Sequence, residues 1–73
     1  MRIGEKIKAE RERQGLKQVE LSRKSNISNG FLADIESGRT NPSLKSLAKI
    51  SKALGTESTF FLAGAEILGV LDD

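Results

Sequence analysis

Apolar residues recur along this chain at three- and four-residue spacing, in short stretches separated by glycine, asparagine or proline. Ile3 and Ile7 lie four apart among Glu5, Lys6, Lys8, Glu10, Arg11 and Glu12. That is one apolar stripe on a charged helix. Gly15 ends it by accepting a left-handed backbone, and Leu16 follows as a core anchor in the connection. A second helix is predicted over Gln18–Ser25, with Val19 and Leu21 as its apolar positions and Ser22 as a small one. Asn26 ends this helix, because asparagine tolerates positive φ best after glycine. Ser28 is placed to cap a third helix by accepting from an orphaned backbone N–H. Phe31, Leu32 and Ile35 form its buried face, and Gly38 closes it. A polar turn then leads through Pro42 to a fourth helix capped by Ser43. Its predicted buried stripe is Leu44, Leu47, Ile50 and Leu54, with Gly55 as terminator. A fifth helix, capped by Thr56 or Ser58, is expected to bury Phe60, Phe61 and Leu62. Strand-like alternation with hairpin turns is missing, so the pattern reads as one all-α domain of five helices. The expected division is a domain over 1–63 and a short apolar and acidic tail over 64–73.

Composition narrows the chemistry. The 73 residues include no cysteine and no histidine. The chain therefore has no disulfide and no thiolate or imidazole metal ligand, and it lacks the commonest general base. A Ser-His-Asp or Cys-His triad cannot be built from it. Ser46-Leu47-Ala48-Lys49 has Ser-x-x-Lys spacing, but it lies inside a helix whose residues are explained as core and surface. Asp72 and Asp73 read as solvated carboxylates. No enzyme activity, metal or cofactor is expected. No apolar run approaches the ~20 residues that span a bilayer, and no signal peptide is visible. The expectation is a cytoplasmic protein with no membrane contact.

Charge is uneven. Residues 1–27 hold eight Lys/Arg against four Glu, residues 28–55 four against two acids, and residues 56–73 four acids with no base. A basic body suits an anionic partner, although a solvated helix face would show the same charges.

Two short helices joined by a three- or four-residue turn are the arrangement of a helix-turn-helix. Ser22 is small where the pair must approach closely, and Asn26 accepts the backbone that the turn needs. The run Gln18-Val19-Glu20-Leu21-Ser22, the pair Ile27-Ser28, then Ile35-Glu36-Ser37-Gly38-Arg39 and Asn41-Pro42-Ser43 resembles the lambda-repressor-like helix-turn-helix family. That family includes Cro and phage repressors, xenobiotic-response-element type regulators and restriction–modification controller proteins. The likeness covers roughly residues 3–62. It implies a compact five-helix DNA-binding domain and a transcriptional regulator of double-stranded DNA. Common members carry alanine at the position of Ser22, glycine at that of Asn26, and basic or Gln side chains on the third helix. Here that helix has none of the last.

The resemblance implies that Gln18 contacts a phosphate and that Arg11 and Glu36 form a structural ion pair. Ser28, Asn29, Gly30, Ala33 and Asp34 are the expected base-edge positions, since the start of the second motif helix enters the major groove. Asn29 can pair bidentately with adenine, or it can be a polar residue of an exposed turn. Asp34 can accept from cytosine N4, or it can repel phosphates. Lys17, Arg39, Thr40 and Asn41 flank the motif in its turns and are the other expected phosphate contacts, which set affinity and register. A homodimer on a two-fold operator is expected, because one small module covers little DNA. Its contact is assigned to Phe60, Phe61, Ile67, Leu68, Val70 and Leu71, apolar residues left over once a core is filled. The alternative reading is an antitoxin or anti-regulator that binds a partner protein; contact with RNA polymerase is a further expected partnership.

Overall fold

Helix ends shape the molecule. The computed structural model describes residues 2–62 and places five helices among them: α1 (Ile3–Arg13), α2 (Gln18–Ser25), α3 (Asn29–Ser37), α4 (Leu44–Ala53) and α5 (Ser58–Leu62). The first four finish alike. A residue in the left-handed region follows the last turn: Gly15 (φ 74°), Asn26 (58°), Gly38 (84°) and Gly55 (70°). The next residue then donates to a carbonyl five positions back, as Leu16 does to Arg11, Ile27 to Ser22, Arg39 to Asp34 and Thr56 to Ser51, at 2.9 to 3.1 Å. This bond satisfies a carbonyl that the helix leaves orphaned. Asn26 is the one non-glycine residue with positive φ among the described residues, and it sits in the turn between α2 and α3.

Helix starts use two devices. Ser28 and Ser43 each accept from a backbone N–H three residues on, Phe31 and Ser46, both at 3.1 Å. Arg2 and Lys17 offer no side-chain acceptor. At α1 and α2 the glutamate three residues on reaches back instead, so Glu5 accepts from Arg2 N at 3.1 Å and Glu20 from Lys17 N at 2.7 Å. Ser58 is already inside α5 and does not precede it as a cap.

The core is Ile3, Ile7, Leu21, Leu32, Ile35, Leu47, Ile50, Leu54 and Phe61. Around it α1 packs on α3 and α5, α2 on α3 and α4, and α4 on α5. The crossing of α1 and α3 depends on Gly4. A Cβ there would lie 1.9 Å from the carbonyl oxygen of Ile35, which no real contact permits, so only glycine lets these helices meet so closely.

Three expected core residues lie outside. Leu44 is 62% exposed, Phe60 47% and Val19 42%. Leu44 is the first residue of α4, and helical side chains lean toward the N-terminus, so it projects off the helix end. Val19 stands two residues before Leu21, about 200° round the helix from the buried stripe. Phe61 takes the interior position in α5. Phe60 meets it edge-to-face, with ring centroids 5.2 Å apart. Leu62, Leu16 and Phe31 are half-buried against the core.

Candidate nucleic-acid interface

The second motif helix, α3, is mounted on the body by a polar clamp on its inner face. Arg11 on α1 donates from Nε to Glu36 Oε2 at 2.8 Å and from Nη2 to Glu36 Oε1 at 3.0 Å. Its Nη1 donates to the carbonyl of Leu16 at 2.8 Å. Gln18, the first residue of α2, donates from Nε2 to Glu36 Oε1 at 3.2 Å. One carboxylate therefore joins α1, α2 and α3, and one guanidinium adds the α1–α2 turn. Arg11 and Glu36 are both buried. The Glu36 hydrogen bonds hold the Arg11 guanidinium above its already high range, so Arg11 stays charged at any ordinary pH. No buried side-chain polar atom lacks a partner among the described residues. Such a network resists rotation of α3, because turning the helix would strand a buried charge.

The outer face of α3 is different. Asn29 and Gly30 are exposed, and Ala33 and Asp34 are half-exposed. These four recur at i, i+1, i+4 and i+5, which puts them on one side of the helix. Ser28 is spent in part on its cap bond. Ser37, which the sequence reading left out, is exposed on the same side, four residues after Ala33. Continuing the i+4 step from Ala33 would have found it.

The flanking residues divide. Lys17 is exposed at the start of α2 and Asn41 in the loop after α3, while Thr40 is half-buried. Arg39 is largely exposed, and its Nη1 lies 3.7 Å from Asp34 Oδ1. Asp34 thus has an internal partner, which neither sequence-based reading of that residue contained. Gln18 spends one amide N–H on Glu36, so a phosphate contact would fall to the rest of that side chain. A shallow depression of about 180 Å³ opens beside it, lined by Lys8, Arg11, Gln18, Ala33, Glu36 and Ser37. Lys8 is exposed there and brings an ammonium group to the edge of the outer face of α3. Sequence reasoning missed Lys8, because only the α1–α3 crossing puts it beside the motif.

Of the expected dimer residues, Phe61 is excluded: it is wholly buried in its own core and has no surface to offer. Phe60 keeps an exposed ring, with Lys6 Nζ 5.2 Å from its centroid and donating to its carbonyl at 2.8 Å. Ile67, Leu68, Val70 and Leu71 lie outside the described residues.

Comparison with known proteins agrees with this geometry. Residues 7–61 match the family described as Helix-turn-helix. The chain belongs to the helix-turn-helix family. It is similar to the immunity repressor protein of Bacillus phage phi105, at 47% identity over 57 residues, covering 78% of this chain and 40% of that protein. Among solved structures it resembles SinR, the master regulator for biofilm formation, in complex with DNA. The TM-score is 0.78 at 34% identity, over 82% of this chain and 97% of that one. It also resembles the DNA-binding domain of the P22 C2 repressor, with a TM-score of 0.83 at 30% identity, over 88% of this chain and 84% of that one. The five-helix fold is thus that of lambda-repressor-like DNA-binding domains. The chain spans 40% to 56% of the length of the curated relatives it matches. None of its described helices is long and apolar enough to cross a membrane.

Proposed function

We propose that this helix-turn-helix chain binds a two-fold DNA operator as a homodimer and regulates transcription, with α3 in the major groove. The observation that supports this reading most is the contrast between the two sides of α3. Its inner side is held by a buried ion pair, while its outer side presents short polar residues with little to bind inside the protein. In the proposed docking Asn29 takes the base-reading role, with adenine as its bidentate partner. Ser28, Gly30 and Ala33 let the helix approach the groove closely. Lys17, Gln18, Arg39, Thr40 and Asn41 hold phosphates on either side, and Lys8 joins them. The reading is that of a cytoplasmic protein without catalytic activity.

The test is selection of binding sites from random duplex DNA, followed by a salt titration of the selected site. The expected site has two related halves about one helical turn apart. The Asn29→Ala variant is expected to lose preference at one adenine in each half, at a cost of about 1–3 kcal/mol. A protein that enriches no sequence and binds random duplex no more tightly at low salt would overturn the reading. The dimer is assigned to Phe60 and the residues beyond Leu62. Sedimentation of a chain ending at Leu62 is expected to show a monomer, and a truncated dimer as tight as the full chain would move the contact elsewhere.

A further inference from the structure

We infer that Asp34, with Arg39 held beside it, makes the outer face of α3 selective for a cytosine in each half-site. The inference rests on the DNA-binding reading and adds to it the chemistry of one base pair.

Three features of the structure converge on Asp34. Its backbone carbonyl accepts from Arg39 N at 2.9 Å, from Thr40 N at 3.3 Å and from Ser37 Oγ at 3.1 Å. The loop that carries the flanking cation is therefore fastened to the same residue whose side chain faces out. Next, the Arg39 guanidinium stands 3.7 Å from the Asp34 carboxylate, and both are open to solvent, at 79% and 48% side-chain exposure. An exposed pair of this kind is weak, so Arg39 can exchange the carboxylate for a phosphate at little cost. While it does so it still offsets the negative charge that would otherwise repel the DNA backbone. The last feature is Gly30, one turn before Asp34 on the same side of α3. A Cα–Cβ bond on a helix tilts toward the N-terminus, so what stands at Gly30 sets the room in front of the Asp34 side chain once it leaves Arg39. A Cβ on Gly30 would meet nothing within 4 Å. The short carboxylate thus has an open path along the helix toward whatever lies in front of it.

An ionised carboxylate only accepts hydrogen bonds. In the major groove guanine presents two acceptors, N7 and O6, and thymine presents O4 and a methyl group, so both repel or ignore it. Adenine pairs one donor with one acceptor. Cytosine presents the N4 amine alone. Of the four, cytosine is the base that such a group prefers.

The experiment is site selection with the parent chain and with the Asp34→Asn, Asp34→Ala and Arg39→Ala variants. The parent is expected to select one cytosine per half-site, with about tenfold preference over the other bases there. Asp34→Asn is expected to move that position toward adenine, whose N6 and N7 an amide pairs with bidentately. Asp34→Ala should flatten the same position and leave the others unchanged. Arg39→Ala should keep the cytosine and weaken all sites alike. A parent site that stays the same whatever stands at 34 overturns the inference and leaves DNA binding intact. So does an Asp34→Ala chain that binds every sequence more tightly, since the carboxylate would then only repel. A parent that selects no site at all overturns the DNA-binding reading and this inference together.

Discussion

The two sides of α3 differ in almost every physical respect. Leu32, Ile35 and Glu36 on the inner side are buried, and Glu36 accepts three hydrogen bonds from two other helices. Asn29, Gly30, Ala33 and Asp34 on the outer side carry small or short side chains, and the Asp34–Arg39 ion pair there is long and exposed. The inner side holds orientation and the outer side is left free for a ligand. A reading helix needs both: its contacts discriminate only if the helix cannot roll, and its outer side chains must be free or weakly enough held to exchange their partners for a ligand.

This division can be broken most directly at Glu36. Glu36→Ala leaves the buried Arg11 guanidinium without its carboxylate and releases Gln18. The expected loss is about 3–5 kcal/mol in urea denaturation. An unchanged midpoint would mean that the clamp does not hold α3. Gly4→Ala attacks the same side through the backbone, by forcing a Cβ into the Ile35 carbonyl. It is expected to cost about 1–3 kcal/mol, and a melting curve equal to the parent's would show that α1 can shift away freely.

Changes on the outer side should spare stability. Lys8→Ala is expected to leave the urea midpoint in place and to lower the slope of log affinity against log salt by about 0.9, as for one lost phosphate contact. A slope equal to the parent's would take Lys8 out of the interface. The smallest effect is expected where neither side is touched. Hydrogen bonds from Arg13 and then Gln14 hold the Glu10 carboxyl down at about 2. Its folded-state value lies below the ordinary ~4.3. Its contribution is therefore present above that pH and is lost as pH falls toward 2. Glu10→Gln should make the acid-side decline of stability shallower between those limits, as followed by circular dichroism. An identical decline would show that this group is indifferent.

Much of the fold was legible in the residues. Ser28, Ser43, Asn26 and the glycines after the helices announce where helices begin and stop, because capping bonds reach only three to five positions along the chain. The core stripe of Leu21, Leu32, Ile35, Leu47, Ile50 and Leu54 follows from helical spacing in the same way. The Arg11–Glu36 pair was legible only through the family resemblance, since 25 positions separate the partners.

Spacing and end residues along the chain are enough to set the five helices of the described residues, their ends and the side of each that could be buried. Those choices rest on short-range sterics and on hydrogen bonds within a single turn. Which apolar residues find a cover depends on how the helices pack: Phe61 does, while Leu44, Val19 and Phe60 do not. The tertiary structure also decides that Gly4 must be glycine, that Lys8 stands beside Gln18, and that Arg39 returns to Asp34. Each of these depends on where one helix crosses another or on how a loop folds back, and side-chain spacing along a single helix does not encode that.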